Sequence, residues 1–332
     1  MIGISCTSFS ADPPGMWLDR IVGNFDLWEI FSEASHSIVY HEKEFRDLLP
    51  SYDLHYSVHA PICDINIASI SDPVRKASMK ETLDTIKAAN RLGIDRVTIH
   101  PGLSSMSVHG IESKYLAHAK ESMKALDAAQ TEYGISLAIE NMPDIYFFLG
   151  RTAAELDEIV GDTDLGICFD IGHANTTGQI DEMIETFGKR IKNIHIHDNN
   201  GERDEHLTIG DGSIDFPGVL RKLGFYDRNY VIESKSYDSA ADSQSVLGPW
   251  LSRSSSESRS VSSRAYAVPD GKHVSGMVLI FPIPLRVFLK SRGRLISPSP
   301  IIPSRRREAN ASPIPSIQTI VKSLSMWHTI AA

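Results

Sequence analysis

The 332-residue chain predicts an α/β protein, a closed (β/α)8 barrel of the TIM type followed by a poorly structured C-terminal extension. Three observations predict it. Short apolar runs alternate with helical segments about once per 30 residues, the size of a βα unit, and eight such runs lie between residues 2 and 233. The runs are mostly apolar, as in strands covered on both faces. Residues 1–253 have the length of one barrel, and the composition changes directly after them.

The elements follow in order. Residues 2–5 form a short strand, and residues 16–22 a helix. Residues 25–30 alternate as a second strand, which turns Glu29 to the same side as Leu27. A short helix lies near residues 41–49, and a strand at 54–59 ends in His59-Ala-Pro61. Asp72 caps a long helix with Pro73 in its first turn, and Gly93 stops it. The strand at 96–100 ends in His100-Pro-Gly102. The helix at 112–133 stops at Gly134, and the strand at 136–140 ends in Glu140. Thr152 caps a helix to about residue 160. The strand at 165–169 leads into Asp170, and residues 180–187 are helical. The strand at 191–196 carries His195, with His197 on the same face. Helices at 216–223 and 240–251 flank a strand at 230–233 that ends in Glu233.

After Arg253 the chain turns rich in Ser, Pro and Arg. Residues 254–332 are read as a disordered or loosely docked tail that adds nothing to the chemistry. The tail carries eleven Lys and Arg against three Asp and Glu, about +8, which leaves about −17 of the total −9 on residues 1–253. An acidic body disfavours unspecific attraction to a polyanion. No apolar run is long enough to span a bilayer, and the N-terminus lacks a secretory pattern. Cys6, Cys63 and Cys168 are odd in number, without CxxC spacing; they are read as buried thiols in a reducing, cytoplasmic setting. No P-loop or dinucleotide fingerprint is present, so no nucleotide cofactor is implied.

In a barrel of this type, chemistry sits at the C-terminal strand ends. Those ends read Glu29, His59, His100, Glu140, Asp170, His195 or His197, and Glu233, and the adjoining loops add His173, Asp204 and His206. So many metal-capable side chains at one mouth point to a divalent cation, Mn, Co, Mg or Zn. Glu140, Asp170, His195 and Glu233 are one donor set with positions left for a substrate carbonyl and hydroxyl. Glu140 and Glu233, from opposite sides of the ring, are the candidate catalytic pair for proton transfer on the two faces of an enediolate. His59, His100, His173 and His206 either orient substrate hydroxyls or bind further zinc ions in a phosphodiester-cleaving cluster.

The ordered set His59-Ala-Pro, His100-Pro-Gly, Ile139-Glu-Asn141, Phe169-Asp-Ile-Gly-His173, His195-Ile-His-Asp198, Asp204-Glu-His206, Ile209-Gly-Asp-Gly212 and Ile232-Glu-Ser234 resembles the xylose-isomerase-like TIM barrels over residues 1–250. That superfamily joins sugar and sugar-phosphate isomerases and epimerases with endonuclease IV. The epimerase branch implies one metal on Glu140, Asp170, His195 and Glu233, with His173 on the substrate and an arginine for which Arg203 is the nearest candidate. The endonuclease branch implies a trinuclear zinc site on His59, His100, Glu140, Asp170, His173, His195, Asp204, His206 and Glu233. The superfamily's His-x-x-Asp motif selects His195 with Asp198, which leaves His197 beside the metal or on the substrate. A compact barrel, the loop after Asp170 and the acidic connector Asn199-Asn-Gly-Glu-Arg203 depart from the endonuclease pattern. The resemblance therefore implies a metal-dependent sugar or sugar-phosphate isomerase or epimerase, with an abasic-site endonuclease as the alternative. Its partner is a small sugar or sugar phosphate, DNA only under the alternative, and no membrane; homo-oligomerisation stays open.

Overall fold

The computed structural model describes residues 1–262. Eight parallel strands close into a barrel in sequence order: β1 Ile2–Ser5, β2 Leu27–Phe31, β3 His55–His59, β4 Arg96–Ile99, β5 Ser136–Glu140, β6 Gly166–Asp170, β7 Ile191–Ile196 and β8 Tyr230–Glu233. β8 returns to β1 with Ser5 opposite Glu233, which closes the ring. The expected barrel is present, and each strand lies within two residues of its expected place.

Helices follow the strands: α1 Gly15–Val22, α2 Glu42–Leu48, α3 Asp72–Arg91, α4 Glu112–Tyr133, α5 Ala153–Val160, α6 Ile171–Thr176, α7 Ile180–Phe187, α8 Phe216–Lys222 and α9 Tyr237–Ser262. Their ends have local causes. Gly134 takes the left-handed conformation that ends α4. The Thr152 hydroxyl accepts from the Glu155 amide at the start of α5. Two helix expectations are corrected, and one helix was not expected. Asp72 is the first residue of α3 and not its cap, which is Ser71. α6, opening directly at Asp170, was not foreseen. α9 begins earlier than expected and runs through residues 254–262, a stretch read from composition as loop. The rest of the expected tail, residues 263–332, lies outside the described residues.

Alternation along the strands divides two environments. Ile4, Trp28, Ile30, Val58, Val97, Ile99, Leu137, Ile139, Ile167, Phe169, Ile194 and Ile232 belong to the continuous hydrophobic core. Their strand neighbours Glu29, Ser57, Thr98, Glu140, Asp170, Asn193 and His195 are buried too, yet polar. Asn193 on β7 bonds Glu29 on β2 and Thr98 on β4, so these side chains meet across the barrel interior. Apolar packing against the helices thus holds a polar interior in place. Cys6 and Cys168 are buried as expected, whereas Cys63, in the loop after β3, is exposed. No helix among the described residues is long and apolar enough to cross a membrane.

A candidate metal centre at the barrel mouth

Glu140, Asp170 and Glu233 are the last residues of β5, β6 and β8, and His59 is the last of β3. His195 lies one residue before the end of β7, and His100 one residue beyond β4. Strand length and register therefore bring these side chains to one level. His173 lies on α6, and His197, Asp204 and His206 lie in the loop after β7.

They form three groups. In the first, His195 Nδ1 stands 3.1 Å from Glu140 Oε1, 3.0 Å from Glu233 Oε1 and 4.0 Å from Asp170 Oδ2. In the second, His59 Nε2 and His100 Nε2 each stand 3.2 Å from Glu140 Oε2. In the third, Asp204 lies 3.4 Å from His173 Nε2, 3.4 Å from His197 Nε2 and 3.2 Å from His206 Nε2. Glu140 turns one oxygen to the first group and the other to the second, as a bridging carboxylate does. The structure thus separates His195 from His197: His195, on β7, joins the first group, and His197, in the loop after it, joins the third. Arg203, in the loop after β7, is exposed.

Ring orientation is fixed from behind. His59 Nδ1 lies 2.8 Å from the Ala60 carbonyl and His173 Nδ1 2.8 Å from the Asn141 carbonyl. A carbonyl only accepts, so Nδ1 carries hydrogen and a neutral ring turns its Nε2 lone pair toward the carboxylates. For His195 the nitrogens are reversed: Nε2 faces Glu29 Oε1 at 2.6 Å, and Nδ1 faces the site. A lone pair opposite a carboxylate is repulsive unless a proton or a cation lies between them.

These positions suit a cation. Tetrahedral donors at about 2.0–2.1 Å from zinc stand about 3.3–3.4 Å apart, close to most of the separations above. Asp170 Oδ2, His197 Nε2 and Asp204 Oδ1 are buried and have no hydrogen-bond partner. Without a cation, protons perform the same neutralisation. Burial works to raise Glu140, but His195, His100 and His59 hold it well below the usual carboxylate range. Asp170 is held at about 2 against its burial, by His173 and His197. His206 rises to about 9, because Asp204 outweighs the effect of burial.

The loop after β7 is built on Asp198. This buried carboxylate accepts from the backbone amides of Asn199, Gly210, Gly212 and Ile214, at 2.9 to 3.3 Å. A Cβ on Gly212 would lie 2.3 Å from Asp198 Oδ1. The backbone amide of Asp198 also pairs with Leu207, next to His206, whose φ of 48° is in the left-handed region. Such a conformation costs a non-glycine residue about 1–3 kcal/mol, so the surrounding loop has to enforce it. Asn141 clamps β5 to β6, with its amide nitrogen on the Asp170 carbonyl and its oxygen on the Asp170 amide. The structural tasks of Asn141 and Asp198 cannot be read from the motifs that contain them. Glu29, expected at a strand end, lies two residues before the end of β2, and its partner His195 stands three strands away around the barrel.

The family model described as xylose isomerase-like TIM barrel matches residues 22–251. The chain is similar to an uncharacterised protein of Methanocaldococcus jannaschii, 39% identical over 75% of this chain and 88% of that one. It is similar to a probable endonuclease 4 of Mycobacterium leprae, 31% identical over 51% of this chain and 68% of that one. Among solved structures it resembles a D-tagatose 3-epimerase-like protein, with 36% identity, a TM-score of 0.72, and coverage of 77% of this chain and 99% of that one. By sequence, fold and strand-end residues together, the chain belongs to the xylose isomerase-like TIM barrel family.

Proposed function

We propose that the chain is a metal-dependent isomerase or epimerase that moves a proton on a carbon next to the carbonyl of a sugar or sugar phosphate. The observation that carries this reading is the convergence of Glu140, Asp170, His195 and Glu233 at one level of the barrel mouth. A divalent cation held there would polarise the substrate's carbonyl and adjacent hydroxyl. Glu140 and Glu233 reach the site from either side of His195, so one carboxylate takes the proton and the other returns it on the opposite face. Glu233 has a side chain 15% exposed, whereas Glu140 is buried with His59, His100 and His195 within 3.2 Å of it. Glu140, Asp170 and His195 are buried in the polar interior, which limits the access of bulk water to them. The barrel carries this chemistry by itself, without residues 254–332.

The loops that lead from the strands to the next helices support a small substrate. Arg151, Arg203 and Lys235 are their only Lys or Arg residues, and Arg151 is paired with Asp144. A DNA backbone is bound chiefly through such cations. The similarity to a D-tagatose 3-epimerase-like protein points the same way. The test is deuterium incorporation from solvent into a panel of ketoses and their phosphates, with added manganese, cobalt or magnesium. Exchange should fall about 10²–10⁴-fold in Glu140→Gln and in Glu233→Gln. No exchange into any sugar contradicts the proposal.

One observation favours a second reading. The groups around His59 and His173 exceed what one ion needs, and a probable endonuclease 4 is among the relatives. Under that reading the three groups would hold up to three zinc ions, whose Lewis acidity would serve phosphodiester hydrolysis at an abasic site, and DNA would be the partner. Chelator-sensitive nicking of an abasic-site duplex would support it, and one ion per chain would oppose it.

A further inference from the structure

Glu29 is fully buried inside the barrel, on the strand that stands three places from β7 around the ring. Its Oε1 lies 2.6 Å from His195 Nε2. Its Oε2 accepts from Ser57 Oγ at 2.8 Å and from Asn193 Nδ2 at 2.9 Å, and Asn193 Nδ2 also reaches Thr98 Oγ1 at 3.1 Å. Neither Lys nor Arg pairs with it among the described residues. The interior of such a barrel is ordinarily filled by branched apolar side chains, and a buried carboxylate is costly there. Packing therefore gives no reason for Glu29, nor for the donors Ser57 and Asn193 that surround it.

The reason lies in His195. An imidazole that ligates a metal through one nitrogen needs its other N–H fixed by an acceptor, which sets the tautomer and the ring plane and raises donor strength. We infer that Glu29 is the positioning residue of the site: it takes the Nε2–H of His195 and so commits Nδ1 to the cation, between Glu140 and Glu233. This rests on the reading above, in which His195 holds the ion. A half-turn of the ring would set carbon atoms against Glu29 on one side and against Glu140 and Glu233 on the other. Ser57 and Asn193 complete the arrangement by occupying the second oxygen of Glu29, so that Oε1 stays aimed at His195. Glu29 touches neither the substrate nor the ion, and its effect passes entirely through the ring.

The experiment uses the full chain loaded with zinc and labelled with ¹⁵N-histidine, as wild type, Glu29→Gln and Glu29→Leu. In the wild type, the ¹⁵N spectrum should show His195 with a zinc-bound Nδ1 and a protonated Nε2. Competition with a chelator should show one zinc bound about 10–100-fold more weakly in Glu29→Leu, with the affinity of any other ion unchanged. Glu29→Gln keeps the shape and one acceptor oxygen, and should fall between the two. A general structural role would instead weaken every ion together. Wild-type affinity and an unchanged His195 spectrum in both variants would overturn the assignment while leaving the site reading intact. A wild type whose His195 carries no zinc overturns both. If Glu29→Leu does not fold, the intermediate affinity of Glu29→Gln decides.

Discussion

Gly172 has no side chain because His197 occupies the place one would take: a Cβ there would stand 2.1 Å from the ring's Cε1. The ring cannot move away freely, since it stacks on His206 at 3.9 Å. Gly172→Ala should therefore push His197 out of the third group. A loss of about 1–3 kcal/mol in urea unfolding, with fewer ions retained after dialysis, is the expected outcome. Unchanged ion content would show that His197 holds nothing. His36 is a second case, away from the mouth groups. It is buried edge-on to Trp28 and Phe45, and burial lowers it to about 4 although Asp12 opposes this. Between pH 6.5 and 4 the unfolded chain takes up a proton that the folded chain refuses. His36 therefore favours the fold fully above pH 6.5, and that contribution is lost as pH falls toward 4. The gap is worth about 3 kcal/mol, so urea midpoints of wild type and His36→Leu, compared from pH 7 to 4, should show the shallower fall in the variant. Parallel curves would refute this. The positions of the metal-capable residues were legible in the sequence because strand ends were. Their partition was not: alternation puts His195 and His197 on one side, but β7 ends at Ile196 and the chain turns there.

The element that decides the third group is the loop after β7. It carries His197, Asp204 and His206, and four backbone amides converge on Asp198 to shape it. Asp198→Ala should leave those four amides without their acceptor and cost about 3 kcal/mol. Protease cleavage within residues 199–214 should accelerate more than cleavage elsewhere in the barrel, and uniform acceleration would deny the loop this dependence. The strands were legible because their period comes from the backbone itself. α6 was not: it has six residues, opens at a site carboxylate and contains Gly172. Asp170 both ends β6 and caps α6, with its carboxylate accepting from the His173 amide at 2.6 Å. One carboxylate thus ties a strand end, a helix start and two donor groups together. The exposure of Cys63 was equally hidden, because it depends on a loop path that no periodicity records.

Across the whole molecule, two opposed environments share each strand. The outward faces build the core that holds eight strands in register, and the inward faces carry Glu29, Asn193, His195 and the strand-end carboxylates. Such a polar interior is costly unless each group is paired, and its hydrogen bonds run across the ring where no local pattern reports them. Eight-fold closure was therefore legible, while the network spanning it needed the structure. The same inward convergence makes the central claim measurable. Crystals of the full chain grown with zinc or manganese, measured above and below the metal's absorption edge, should show an anomalous peak between Glu140, Asp170, His195 and Glu233. No peak there, with those four side chains ordered and the ion in excess, would contradict the account.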